Sequence, residues 1–268
     1  YIARCQSILQ SGQPDNDVLL YWPIYDFWHN PKGMVQPMTV HRRDWLEGQP
    51  IGRAARRLWD RGYAFDYVSD RQLALVKTKD RELETPGGSY RVLLVPACRL
   101  MPLKTMQRLL ELAEAGATVL FENQLPSDVP GWGNLESRRE IFQAALAALE
   151  FTAVGEPDGA GVGPATNASV KLAKVGAGRL IVGELAAALT LAGVARETMT
   201  DQTGVFCLRR RAEGVRHYFI AHRGEQAIDG WVPLAAKAGA VVLMDPITGR
   251  TGLATVRRVA GGSQVYLQ

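Results

Sequence analysis

Six side chains able to act as acids, bases or nucleophiles stand at or just behind short apolar runs. Asp26 and His29 follow Asp17–Trp22, Asp66 and Asp70 go with Phe65–Val68, Cys98 follows Arg91–Val95, and Glu122 follows Thr118–Phe121. In an open parallel sheet, ligands bind beyond the carboxyl ends of the strands. The spacing therefore predicts a polar pocket on one sheet edge, with carboxylates for acid–base work and a thiol for nucleophilic attack. The same residue types at the starts of loops also cap helices and turns. A thiol nucleophile needs a sharp turn flanked by glycines, as in G-x-C-x-G, and a His–Glu pair to activate it. Cys98 is preceded by Pro96–Ala97 and followed by Arg99–Leu100, and no His-x-Glu occurs in the chain. These flanks argue against a nucleophile and for a cysteine packed as a small hydrophobe.

Aromatic residues crowd the segment after the first run: Tyr21, Trp22, Tyr25, Phe27 and Trp28 fall within eight residues. Exposed rings stack on sugar faces, and the same rings also serve to pack one domain against another. Substrate-flanking candidates are Tyr21, Tyr25, Asp26, Trp28, His29 and Glu122. A metal site is not expected. The histidines His29, His41, His217 and His222 show no H-E-x-x-H spacing, and the odd separation of His217 and His222 puts them on opposite faces of a strand. Glycoside hydrolysis needs two carboxylates at a defined separation, and no pair stands out.

The elements that must position these residues alternate over about 130 residues. Strands are expected at Asp17–Trp22, Phe65–Val68, Arg91–Val95 and Thr118–Phe121, with helices at Ile51–Arg61, Pro102–Ala115 and Ser137–Leu149. Ile24–Pro50 reads as a long loop, and Leu73–Tyr90 as a hairpin turning at Pro86–Gly88. Parallel strands need crossover helices, so the fold class is α/β: an open, mostly parallel sheet of flavodoxin type with flanking helices. Val170–Val175 and Arg179–Val182 read as further strands and Glu184–Leu191 as a helix. From Gly204 the pattern is all strand, at Val205–Arg209, Arg216–Ala221, Gly230–Leu234, Ala240–Met244, Leu253–Arg257 and Gln264–Leu267, a smaller antiparallel module. Expected bounds are a terminal helix of a preceding domain at 1–14, the α/β domain at 15–198 and the β-rich module at 199–268. Tyr1 opens inside a helical pattern and the chain stops in a strand, so a piece of a larger protein is expected.

The chain has 268 residues, 47% hydrophobic and 22% charged, which excludes disorder, collagen and coiled coil. No apolar run approaches the roughly 20 residues of a membrane helix, so no membrane partner is expected. Cys5, Cys98 and Cys207 give no disulfide framework. A net charge of +4 is mild. Arg53–Arg57 with Arg61 reads as a solvated helix face and Arg209–Arg211 as the charged end of a strand, not as a nucleic-acid footprint. There is no G-x-G-x-x-G or P-loop. The glycines of Gly159–Gly163 follow no strand and read as a surface loop, so no nucleotide or other cofactor is expected.

The opening YIARCQSILQSGQPDNDVLLYWP, then GYAFDYVSDRQL (Gly62–Leu73), SYRVLLVPACRLMPLKTMQRLLELAEAGATVLF (Ser89–Phe121), HYFIAHR (His217–Arg223) and MDPITGR (Met244–Arg250) together resemble glycoside hydrolase family 106, which contains α-L-rhamnosidases. The resemblance covers most of the chain. It implies a class I glutamine amidotransferase-like domain that has lost its nucleophile, followed by the start of a β domain. It places the catalytic barrel upstream and further β domains downstream as partners in one polypeptide, with carbohydrate as ligand and a periplasmic or extracellular parent. No catalytic residue is carried over, because nothing here matches the family's catalytic motif. The expected function is a non-catalytic, substrate-flanking portion of such an enzyme. The alternatives are a small hydrolase or amidotransferase using Cys98, and a carbohydrate-binding module using Tyr21, Tyr25 and Trp28.

Overall fold

Val18–Tyr21 and Val92–Val95 carry no charge and bury every residue, as strands covered on both faces must. They lie side by side within a seven-stranded sheet. Its spatial order is Phe65–Val68, Val18–Tyr21, Val92–Val95, Thr118–Glu122, Gly178–Gly183, Val170–Val175, Thr152–Val154. The first five run parallel. At the far edge Val170–Val175 pairs antiparallel with both Gly178–Gly183 and Thr152–Val154, so it alone runs against the rest. The computed structural model describes residues 1–154 and 170–268, and Gly159–Gly163 lies outside them. Chain order reverses between Val18–Tyr21 and Val92–Val95. The strand after the first lies on one side of it and the next on the other, which leaves a crevice at the carboxyl ends.

Helical spacing holds where it was read. Leu103–Glu114 buries Met106, Leu109, Leu112 and Ala113 on one stripe, and Leu135–Ala147 buries Phe142. Leu185–Leu191 is capped by the Glu184 carboxylate, which accepts from the backbone N–H of Ala186 and Ala187 at 2.8 and 3.0 Å. The expected loop over 24–50 is instead three short helices, Ile24–His29, Pro31–Val35 and Asp44–Glu47. They are too short to show a period. One is set by a local cap, with the Asn30 side chain accepting from Lys32 N at 3.0 Å and Pro31 opening the turn. The expected hairpin over 73–90 has three strands, Lys77–Lys79, Glu82–Thr85 and Gly88–Tyr90. Its extra turn sits at Asp80–Arg81, both with positive φ, a tight turn lacking its usual Asn-Gly signal.

The chain divides into two compact units. Asp17–Arg56 with Phe65–Val194 holds the large sheet. Tyr1–Asn16, Arg57–Ala64 and Ala195–Gln268 form the other, built from small antiparallel sheets. In that second unit Val205–Ala212 pairs with Val215–His222 and with Gln13–Pro14. Gly262–Leu267 pairs with Gly230–Leu234 and Val256–Val259. The single strand expected at Leu253–Arg257 breaks at Ala254–Thr255, and its halves join different sheets. Met199, Val205, Val232, Leu234 and Val265 make its core.

Arg209 corrects another expectation. Its strand is charged at the end, but Arg209 itself is buried. It donates from Nη1 to Glu197 Oε1 at 2.9 Å, and from Nε and Nη2 to the Asp15 carbonyl at 3.2 and 2.8 Å. Nearby, Glu197 N donates to the Gly62 carbonyl at 2.9 Å. Gly62 has φ +74°, and a Cβ there would collide with the Glu197 carbonyl oxygen. Gly62→Ala is therefore expected to destabilise this unit by about 1–3 kcal/mol, the cost of a left-handed non-glycine residue plus the shift needed to clear the carbonyl. A urea midpoint unchanged from the parent would contradict this.

Candidate functional site

The carboxyl edge of the large sheet holds two hydrogen-bonded networks. Asp70 opens the one-turn helix Asp70–Leu73. Tyr21, the last residue of its strand, donates its hydroxyl to Asp70 Oδ1 at 2.9 Å. The Thr105 hydroxyl donates to the same oxygen, and Tyr25 lies close enough to feel the Asp70 charge. Burial pushes the Tyr21 phenol well above its ordinary value, and the Asp70 charge pushes it further. Tyr25 is pushed up to about 12 by burial and then by Asp70. Both phenols stay protonated, and Tyr21 acts as a donor to a fixed carboxylate.

The second network is built on Asp26. Asp26 Oδ2 accepts from Arg99 N at 2.6 Å and Oδ1 from Leu100 N at 2.8 Å. These two amides stand at the carboxyl end of Val92–Val95, beside Cys98. In acyl-transfer chemistry, backbone N–H groups beside the nucleophile receive the oxyanion. Here a carboxylate already occupies them. Cys98 is 4% exposed. Burial, then the Asp26 charge, pushes its thiol up, so the sulfur holds its proton. The next turn is tied down as well, with Ser127 N and Asp128 N donating to the Arg99 carbonyl at 3.0 and 3.1 Å. Arg139 grips Asp128 with two bonds, 2.9 and 3.0 Å, and that contact lowers the Asp128 pKa.

A family model described as alpha-L-rhamnosidase, glycoside hydrolase family 106, matches residues 1–255. The chain belongs to that family. A rhamnosidase from Novosphingobium sp. PP1Y shares its fold, with TM-score 0.65 and 19% identity. That match covers 100% of this chain and 23% of the other, so the chain spans about a quarter of that protein's length. A β-galactosidase from Bacillus circulans sp. alkalophilus superposes with TM-score 0.52 and 14% identity over 98% of this chain and 43% of its own. Gan42B, a GH42 β-galactosidase from G. stearothermophilus, gives TM-score 0.51 and 14% identity over 93% and 40%. No curated protein matches the chain significantly.

In this family-106 chain the candidates separate as follows. Tyr21 is fully buried, so its ring has no face for a sugar. Tyr25 meets Trp28 edge to face, 6.0 Å between centroids, and Trp28 is 48% exposed. Asp26 joins Cys98. His29 is exposed at the end of its helix and takes part in neither network. Glu122 ends its strand, buried and partnered. Asp66 lies within its strand rather than after it, and its Oδ2 accepts from the Tyr90 hydroxyl at 2.9 Å. Sequence reasoning missed Thr105 and the Arg99–Leu100 amides. Backbone donors carry no side-chain signal, and Thr105 lies 35 residues from Asp70. Among the described residues, no three His, Cys, Asp or Glu side chains gather as metal ligands.

Proposed function

We propose that this chain is the non-catalytic, substrate-flanking portion of a multidomain glycoside hydrolase acting on rhamnose-containing glycosides. The observation that carries the reading is Asp26 filling the Arg99 and Leu100 amides beside a buried, protonated Cys98. A site that once could have received an oxyanion has become a structural joint. The strand order around the crevice supports a flavodoxin-like, amidotransferase-type domain over 15–198 that has lost its nucleophile. A helix of a preceding domain at 1–14 and a β module at 199–268 complete the reading. The partners are an upstream catalytic barrel and downstream β domains of the same polypeptide. Helix Ile2–Leu9 buries none of its residues, and the hairpin Val242–Met244 with Thr251–Leu253 is exposed throughout. An eight-residue helix and a two-stranded ribbon are marginal alone, which supports cover from another part of the polypeptide.

The test is direct. The chain should show no turnover of an aryl α-L-rhamnoside, and Cys98 should resist iodoacetamide at pH 8 until the chain is denatured. Cleavage at a rate above buffer overturns the scaffold reading. Rapid labelling of native Cys98, or an acyl-transfer activity lost in Cys98→Ala, would restore the thiol as a nucleophile.

A further inference from the structure

We propose that a groove beside Asp70 binds a carboxylated sugar, a uronic acid residue of the glycan whose rhamnosides the parent enzyme attacks. The proposal rests on the substrate-flanking reading above and adds the site and the chemistry of its ligand. The groove runs between the helix Asp70–Leu73 and the first half of Leu103–Glu114, with a volume of about 650 Å³. That is within the usual range of small-molecule sites.

Its residues ask for two kinds of group at once. Asp70, Tyr25 and Thr105 form a neutral-to-acidic wall. Asp70 takes two hydroxyl donors, both on Oδ1, against about four acceptor positions, which leaves room for a ligand hydroxyl. Cations line the same groove. Arg71 and Lys104 are exposed there and form no ion pair among the described residues. Arg108 is held by Glu111 at 2.7 Å and by the Val76 carbonyl, yet its Nε–H is buried without a hydrogen-bond partner. Helix Leu103–Glu114 starts here with no side-chain cap, so its first amides add positive potential.

A compact dianion such as phosphate would set two negative charges against the Asp70 carboxylate at short range. A neutral sugar would satisfy Asp70 but make no use of Arg71 and Lys104. A sugar acid satisfies both, with a hydroxyl on Asp70 and a carboxylate toward the cations. Trp28, edge-on to Tyr25 and half-exposed, extends the surface by an aromatic ring suited to a neighbouring sugar.

Calorimetric titration of this chain with an oligogalacturonide tests the proposal, set beside its fully methyl-esterified form and polyglutamate. Binding of the oligogalacturonide is expected. It should weaken about tenfold or more in Arg71→Ala/Lys104→Ala and equally for the ester, with polyglutamate a poor competitor. Both substituted residues are exposed, so an unchanged melting temperature shows that the fold survives. Equal binding of the ester would replace a uronate site with a neutral-sugar site. Equal binding of polyglutamate would reduce the groove to a cationic patch. No binding at all overturns the proposal. With no rhamnoside turnover and an unreactive Cys98, those failures leave the scaffold reading intact.

Discussion

Glu197→Ala is expected to destabilise the unit built on Ala195–Gln268 by about 3–5 kcal/mol, the usual cost of stripping one partner from a buried ion pair. Glu197 is 1% exposed. Its Oε1 accepts from Arg209 Nη1 at 2.9 Å and from the Tyr218 hydroxyl at 3.0 Å, and its Oε2 from Ala235 N at 2.8 Å. Alanine would orphan three donors, one of them a guanidinium in a site closed to water. Asp15 cannot take over. Its Oδ2 stands 3.8 Å from Arg209 Nε and is engaged by Arg216 Nε at 3.0 Å. Glu197→Gln keeps the shape but loses the charge, so its cost should fall between parent and alanine. The double variant Glu197→Leu/Arg209→Met removes both charges and should be less destabilised than the sum of its single changes. Urea unfolding of the parent, Glu197→Ala, Glu197→Gln, the double variant and its two single changes checks this. A loss under 1 kcal/mol for Glu197→Ala would mean that water replaces the carboxylate. Since whole domains are stable by only about 5–15 kcal/mol, the predicted loss is a large share of the total.

This cluster shows where sequence reading stops. The central strands were legible because fully buried strands read as unbroken apolar runs, and Val18–Tyr21 and Val92–Val95 are such runs. Helix Leu103–Glu114 was legible from its period. Arg209 was not, because its partners lie at a distance in sequence that no local pattern encodes: Asp15 is 194 residues away. Locally, three consecutive arginines in a strand put alternate side chains on opposite faces, and nothing in the triplet says which face is covered. The candidate site divides the same way. That polar groups gather beyond the strand ends follows from topology. That Asp26 meets the amides of Arg99 and Leu100, over 73 residues away, depends on the helix Ile24–His29 forming where a loop was expected. Short helices of this kind carry too few residues for periodicity to register.

The second large effect is alkaline. Stability should fall steeply above pH 9 to 10. Burial raises the thiol of Cys98 and the phenols of Tyr21 and Tyr218, with the charges of Asp26, Asp70 and Glu197 adding to it, and raises Cys207 to about 11. A group raised in the folded state keeps a proton that the unfolded chain releases. Its stabilisation is therefore intact below the ordinary value, about 8.5 for a thiol and 10 for a phenol, and declines as pH climbs past that value. Each such group takes away about 1.4 kcal/mol per pH unit until its own folded pKa is reached. Cys207 stops contributing near pH 11, while Cys98, Tyr21 and Tyr218 continue beyond it. Tyr25 and Tyr90, each pushed up to about 12 mainly by burial, add to the decline above pH 10. Cys98 and Tyr21 act on the unit that holds the large sheet, Cys207 and Tyr218 on the other, so both units should weaken together. Urea midpoints from pH 8 to 11.5 measure the decline. Tyr21→Phe should be less stable at pH 8, where the hydroxyl bond to Asp70 is lost, but should show a shallower slope above pH 10. Cys98→Ala should flatten the slope from pH 9. A midpoint that stays level to pH 11 would mean that these groups ionise as easily in the folded chain as in water, and Cys98 would regain standing as a reactive thiol.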